Sequence, residues 1–297
     1  MNTVVGVDNI SFSYPGNREH ALAGVSFSAG PGEHIALVGP NGSGKTTLFQ
    51  ILNGTFHPAN GKTLLGGKDI LTFSVLERAR RIAYVRQGGG INFPYTCFEL
   101  ILMGLHPHET FSALTEGYVR SRRHISENAA FSRAEEVMRE TGVWGFASRI
   151  ANTLSGGELQ RVLLARSLLQ IFPNTHEKLS VPAASGKHVP KLLLLDEAFS
   201  ELDIAARISM MNLLNGMLAK RNFTIIAIHH DLHLAARFTS RIIALHQGRI
   251  AGDGPPDEIF TADFFRRVFA VKAEVIPGKG FFFHDTAPPD GGAYIHS

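Results

Sequence analysis

Gly39-Pro40-Asn41-Gly42-Ser43-Gly44-Lys45-Thr46 is the stretch that decides the fold. Glycine, four residues, glycine, lysine and threonine follow each other in the P-loop pattern. The chemistry needs these residue types. Glycines let successive backbone N–H groups curl around phosphate oxygens, where a side chain would block the approach. The helix that follows points its N-terminus at the same anion. Lys45 supplies a positive charge for the β- and γ-phosphates, and the Thr46 hydroxyl is a ligand for magnesium. Gly39, Asn41, Gly42, Ser43, Gly44, Lys45, Thr46 and Thr47 are therefore the candidate nucleotide contacts, with ATP and Mg2+ as the implied ligands. The context agrees: residues 33–38 form a short apolar run that reads as a strand, and residues 45–52 have helical composition.

Working outward, strand and helix signals interleave. Val5, Val7, Ile10, Phe12 and Tyr14 precede a Pro15-Gly16 turn, and residues 25–28 read as a second strand. Residues 82–86, 192–195, 223–228 and 241–246 read as strands. Residues 97–103, 132–141, 158–169, 205–220, 231–238 and 257–269 read as helices. The interleaving predicts an α/β sheet with crossover helices. Between about 88 and 150 helices occur without strands, which predicts an inserted helical subdomain. Residues 171–191 have the Pro, Ser and Gly content of a long loop. The tail after Pro277 is rich in Gly and Pro and reads as poorly packed.

A second carboxylate-bearing stretch completes the chemistry. Leu192-Leu193-Leu194-Leu195-Asp196-Glu197 is an apolar strand ending in two acids. Strands often end in solvated acids, but beside a P-loop this pair has a use. Asp196 is placed to hold magnesium through water, and Glu197 to polarise an attacking water as a general base.

Leu154-Ser155-Gly156-Gly157-Glu158 opens a helix. Ser155 and Glu158 read as a capping box. The two glycines do not follow from capping, since glycine is a poor residue in a first helical turn. They make sense where a phosphate approaches bare backbone at a helix N-terminus. LSGGE followed by Leu159-Gln160-Arg161 resembles the signature of the ATP-binding cassette (ABC) family, and with the P-loop before it and LLLLDE after it the resemblance spans residues 3–276. It implies a RecA-like P-loop core with an antiparallel β subdomain and an inserted helical subdomain, forming an ABC ATPase domain over residues 3–271 and a tail over 272–297. It also implies a head-to-tail homodimer with ATP at the interface, in which Ser155 and Gly157 touch the nucleotide held by the partner.

The same resemblance assigns further residues. Tyr14 matches the aromatic that stacks on adenine. Gln87 matches the glutamine that reaches magnesium and relays to a transmembrane partner. Asp203, in Ser200-Glu201-Leu202-Asp203, matches a loop crossing the dimer interface. His230 matches the switch histidine at the γ-phosphate. His229 beside it leaves the choice open on physical grounds, and the family order of histidine then aspartate favours His230. Catalysis is thus expected from Lys45, Gln87, Glu197 and His230, and metal binding from Thr46, Gln87 and Asp196. Ala198 and Phe199 depart from the usual proline and small residue after the catalytic glutamate, and Phe199 is expected to alter how the Asp203 loop packs across the dimer.

The segment Phe93-Pro94-Tyr95 and the stretch Met103-Gly104-Leu105-His106-Pro107-His108 resemble importers of ferric siderophores, haem and cobalamin. So do Asp231–Arg237 and the run from His246 to Gly254. This resemblance implies transmembrane permease subunits, a periplasmic or surface substrate-binding protein, and a peripheral location on the cytoplasmic membrane face. The alternative is a soluble ABC ATPase of iron–sulfur cluster assembly or another non-transport role.

Composition sets limits. The 297 residues are 44% hydrophobic and 19% charged, enough apolar content for a large core. One cysteine, Cys97, excludes an intrachain disulfide. The N-terminal residues lack a basic start and apolar run, so no secretory signal is expected. No apolar run approaches 18 residues, so no membrane span is expected. A net charge of +3 gives no argument for nucleic acid. The basic run at residues 120–124 reads as a solvated face, and His106 and His108 lack an evident third metal ligand.

Overall fold

The computed structural model describes residues 3–17, 19–86, 91, 93–108, 129–173, 189–276 and 280–284. Strands β1 (Val5–Phe12) and β2 (Leu22–Ala29) lead into β3 (His34–Val38) and helix α1 (Lys45–Leu52). Then come β4 (Asn60–Leu65), β5 (Lys68–Asp69), α2 (Val75–Ala79), β6 (Ile82–Arg86) and α3 (Cys97–Leu102). Helices α4 (Ala129–Glu140) and α5 (Gly156–Ile171) precede β7 (Leu192–Asp196) and α6 (Ile204–Leu218). The chain continues through β8 (Thr224–Ile228), α7 (Leu232–Phe238), β9 (Arg241–His246) and β10 (Arg249–Gly254). It closes with α8 (Pro256–Ile259), α9 (Ala262–Phe269), β11 (Lys272–Ile276) and β12 (Gly280–His284).

The central sheet has the order β10-β9-β3-β8-β7-β6. Strands β6, β7, β8, β3 and β9 are parallel, and β10 joins the edge antiparallel. The leucine run in β7 explains itself here. Successive side chains point to opposite faces, and both faces are covered. Leu192 and Leu194 enter one core with Val5, Ile10 and Phe49, beneath the antiparallel sheet β2-β1-β4-β5. Leu193 and Leu195 enter a second core with Met138, Leu168 and Leu214, which joins the helices to the sheet.

The helices α3, α4 and α5 pack on one another within that second core. Each of α3 and α5 begins with a full capping box, Thr96 with Glu99 and Ser155 with Glu158. No helix among the described residues is long and apolar enough to cross a membrane.

Several elements differ from the sequence expectation. The run at 257–269 divides into two helices, because Thr261 accepts the Phe264 N–H and starts α9 as a fresh cap. Strands β4 and β10 lack clean alternation in sequence and were not expected. Part of the tail is packed: β12 pairs with β11, and Phe281 is buried against Phe265. Composition missed this because Gly and Pro flank the strand, while the buried ring, Phe281, sits within it. The basic run at 120–124 and most of the 171–191 loop lie outside the described residues.

Candidate functional site

The site forms at the C-terminal ends of β3, β7 and β8, where parallel strands place their following loops side by side. Position in the loop after β3 dictates glycine. Gly39 has φ +147°, and a Cβ there would stand 2.1 Å from the Leu245 carbonyl oxygen. Gly44, with φ +101°, is as confined, since its Cβ would meet the Ala21 carbonyl at 2.5 Å. Gly42 has open space but φ +76°, so its requirement is conformational alone.

Lys45 lies across this loop. Its Nζ donates to the carbonyls of Gly39 at 2.8 Å and Pro40 at 2.9 Å. Burial lowers its pKa, and the carboxylates of Glu197 and Asp196 oppose that fall. The lysine is therefore a partly desolvated charge held at the rim of the cradle. Thr47 is buried and hydrogen-bonded to the Tyr14 hydroxyl at 2.9 Å. Phe12 and Phe56 both meet the Tyr14 ring edge-on, at interplanar angles of 88° and 89°.

A cavity of about 290 Å³ is lined by Tyr14, Ala21, residues 41–47, Glu197 and His230. The structure thus gathers the phosphate loop, the aromatic, the acid and the histidine around one volume. His230 Nε2 is 2.5 Å from Glu197 Oε1. Glu197 takes φ +50°, a backbone conformation that non-glycine residues rarely adopt and that turns the chain sharply after β7. Asp231 accepts the N–H groups of His233 and Leu234, which caps α7 and fixes the turn carrying His230.

The two histidines occupy different environments. His230 is exposed at the cavity, whereas His229 Nε2 has no hydrogen-bond partner and no solvent contact. Burial, with His34 and His230 nearby, lowers the His229 pKa to about 3. His229 is thus a half-buried, neutral ring that does not line the phosphate-loop cavity.

Asp196 ends β7 and is buried. Its Oδ2 accepts the Tyr84 hydroxyl at 2.7 Å. Sequence reading missed Tyr84. The available signal was weak: a polar-tipped aromatic in an expected strand, with nothing in the sequence to say which strand it would neighbour. A second cavity, about 380 Å³, lies behind Glu197 and His230 and is lined by Phe199, Met211 and Leu234 among others.

Ser155, Gly157 and Asp203 stand apart from the phosphate-loop cavity. Ser155 accepts the Glu158 N–H, and Glu158 returns to the Ser155 N–H at 2.8 Å. The glycines also lie close under flexible side chains of their own chain, whose ends could move aside. A Cβ on Gly156 would stand 2.2 Å from Glu201 Oε2, and one on Gly157 would stand 2.6 Å from Leu202 Cδ2. Asp203 caps α6 by accepting the Ala206 N–H at 2.7 Å. Arg207 braces the loop by donating to the carbonyls of Leu202 and Ser200. No sequence signal pointed to Arg207. Phe199 is buried within the core of its own chain, so its packing is internal and not directed outward from the Asp203 loop.

Gln87 lies outside the described residues. His108 Nε2 is bonded to the Gln170 carbonyl at 2.7 Å. Among the described residues no group of three or more His, Cys, Asp or Glu side chains could cage a metal. The Thr46 hydroxyl at the phosphate-loop cavity and the Asp196 carboxylate at the end of β7 are hard oxygen donors of the kind that suit magnesium, which commonly takes one or two protein oxygens together with phosphate and water.

The geometry agrees with known proteins. The ABC transporter family profile matches residues 22–172. The chain is 36% identical to the hemin import ATP-binding protein HmuV of Nitrobacter winogradskyi over 259 residues, covering 87% of this chain and 86% of that one. It is 35% identical to the HmuV of Bradyrhizobium diazoefficiens over 263 residues, covering 89% and 88%. Among solved structures, an inward-facing metal-chelate type ABC transporter superposes with a TM-score of 0.69 at 23% identity, covering 95% of this chain and 96% of that one. The cassette MJ1267 superposes with a TM-score of 0.70 at 21% identity, covering 91% and 98%. Those two structures support the fold, and the relatives and the profile support the family: the chain belongs to the ABC transporter family as an ATP-binding, ATP-hydrolysing subunit.

Proposed function

We propose that this ATPase powers import of hemin or a related metal chelate, acting as a homodimer bound to permease subunits on the cytoplasmic membrane face. The observation that carries the proposal is similarity to hemin import ATP-binding proteins along nearly the full length of both chains. A substrate-binding protein outside the membrane completes the proposed system.

In this reading Tyr14 stacks on the adenine, and residues 39–47 wrap the phosphates. Lys45 neutralises charge that develops on the transferred phosphoryl group. Thr46 directly and Asp196 through water would hold Mg2+, which would supply charge neutralisation for the nucleotide phosphates. Glu197 accepts a proton from the attacking water, and His230 holds the Glu197 carboxylate oriented toward it. Gln87 would reach the same Mg2+ and relay to the permease. Ser155, Gly157 and Asp203 act across the dimer on the nucleotide of the partner.

Deletion of the gene should abolish growth on hemin as iron source, with restoration by the wild-type gene and not by Lys45→Ala. Normal hemin uptake in the deletion strain, with loss of another nutrient, would reject the substrate assignment and leave the ATPase intact.

A further inference from the structure

We propose that Tyr84 is a positioning residue for Asp196, fixing that carboxylate at the end of β7 and tying it to the phosphate-loop helix. The inference rests on reading Asp196 as the metal-holding acid.

Strands β6 and β7 are parallel, with Tyr84 paired to Leu194. Leu194 and Asp196 are two residues apart, so their side chains leave the same sheet face. Tyr84 lies beside them on that face, one strand over. Its hydroxyl reaches forward and donates to Asp196 Oδ2 at 2.7 Å. This is the one hydrogen bond to the Asp196 side chain among the described residues. The same hydroxyl oxygen receives Gln50 Nε2 at 3.5 Å, and Gln50 belongs to α1, the helix that Lys45 begins. Phe49, also in α1, meets the Tyr84 ring at 6.1 Å and 72°. The phenol therefore wedges between the phosphate-loop helix and the acid-bearing strand.

A carboxylate that holds a metal through water must present one oxygen in a fixed direction. Occupying Oδ2 with a phenolic donor leaves Oδ1 for that water and restricts side-chain rotation. Hydrogen-bonded partners of metal-holding groups commonly change metal affinity by about 10–100-fold when removed. A tyrosine present only to fill the core would have no such effect once its ring is retained.

The test uses the full chain and Mn2+ as a paramagnetic stand-in for Mg2+, in the presence of a non-hydrolysable ATP analogue. For Tyr84→Phe, electron paramagnetic resonance should show Mn2+ affinity weakened roughly tenfold. Nucleotide affinity measured in EDTA should stay unchanged. Half-saturation of turnover by Mg2+ should rise by a similar factor, with kcat recovered at high Mg2+. Unchanged Mn2+ affinity in folded Tyr84→Phe overturns the proposal. Should that variant not fold, Gln50→Met decides: a rise of about threefold in the Mn2+ dissociation constant supports the link, and no rise overturns it. Asp196→Asn separates the two readings. If Asp196→Asn weakens Mn2+ binding and Tyr84→Phe does not, only the role of Tyr84 fails. If Asp196→Asn changes nothing, the assignment of the metal-holding acid fails with it.

Discussion

His230 Nε2 and Glu197 Oε1 meet at 2.5 Å on the rim of the phosphate-loop cavity, from the ends of two adjacent parallel strands. In the proposed mechanism the contact joins a proton acceptor to the group that orients it. Glu197→Gln keeps the shape of the side chain and removes its basicity. Loss of a general base slows a reaction by about 10²–10⁴-fold. The variant should bind ATP normally, hydrolyse it at a rate reduced by that factor, and accumulate as an ATP-dependent dimer in size-exclusion chromatography. Normal turnover would remove Glu197 from the role.

Gly39 is constrained by backbone on both counts that matter. Gly39→Ala places a methyl group 2.1 Å from the Leu245 carbonyl at a φ of +147°. The substitution should destabilise the fold by about 2–3 kcal/mol and weaken nucleotide binding. Gly42→Ala meets no neighbour within 4 Å and carries only the conformational penalty of φ +76°. It should lose about 1–2 kcal/mol. Equal denaturation midpoints for the two variants would contradict the packing argument.

These contrasts show what a sequence can convey. The P-loop, the β7 acids and the capping box at Ser155 were legible because each is a local pattern with its own chemistry. The gathering of Tyr14, Glu197 and His230 at the loop followed from an alternating strand–helix order once the family resemblance was seen. The Tyr84–Asp196 contact was not legible, because it depends on which strands become neighbours, and β6 and β7 are more than a hundred residues apart. Nor was the close approach of the Glu201 and Leu202 side chains to Gly156 and Gly157.

Two histidines with solvent-shielded ring nitrogens, His34 and His229, should make the fold acid-sensitive. His229 has a pKa of about 3 in the folded chain, and burial also lowers that of His34. An unfolded histidine titrates near 6.5. As pH falls below that value the unfolded state takes up protons that the folded state refuses, so stability is lost from about 6.5 downward. At pH 5 the His229 contribution alone amounts to at most about 2 kcal/mol. Thermal midpoints should fall between pH 7 and pH 5, and His229→Phe should flatten part of that slope. An unchanged slope would mean that His229 is protonated in the folded protein.

The C-terminal hairpin should be a structural part of the molecule. His233, in the helix following His230, stacks on Phe281 at 4.2 Å and 15°. Phe281 also meets Phe265 at 4.6 Å. Phe281→Ala removes a buried ring and should lower stability by about 3–5 kcal/mol. His233→Ala should lower it by about 1 kcal/mol, the size of an aromatic pair contribution. Truncation after Val271 that left the denaturation midpoint unchanged would show that the hairpin contributes nothing to the fold.

Ser155 and Gly157 lie outside the cavity formed by the phosphate loop of their own chain, and Gly157 packs against Leu202 beside them. In the proposed dimer they act on the γ-phosphate held by the second subunit. Ser155→Arg should therefore impair the site whose phosphate loop belongs to the partner, because a large cation replaces a small hydroxyl at the helix N-terminus. Lys45→Ala impairs the site within its own subunit. A dimer of one Ser155→Arg chain and one Lys45→Ala chain then carries both defects at one composite site and neither at the other. Each homodimer has two defective sites and should be inactive. Mixed samples should recover a measurable share of ATPase activity if the contact is in trans and the two sites turn over independently. The rate is to be read on heterodimers purified through two different affinity tags. Activity no higher than in either homodimer would mean that the contact is made within one chain or that hydrolysis requires both sites. Chemical crosslinking from Ser155→Cys to the phosphate loop of the partner in the ATP-bound state would separate those two outcomes.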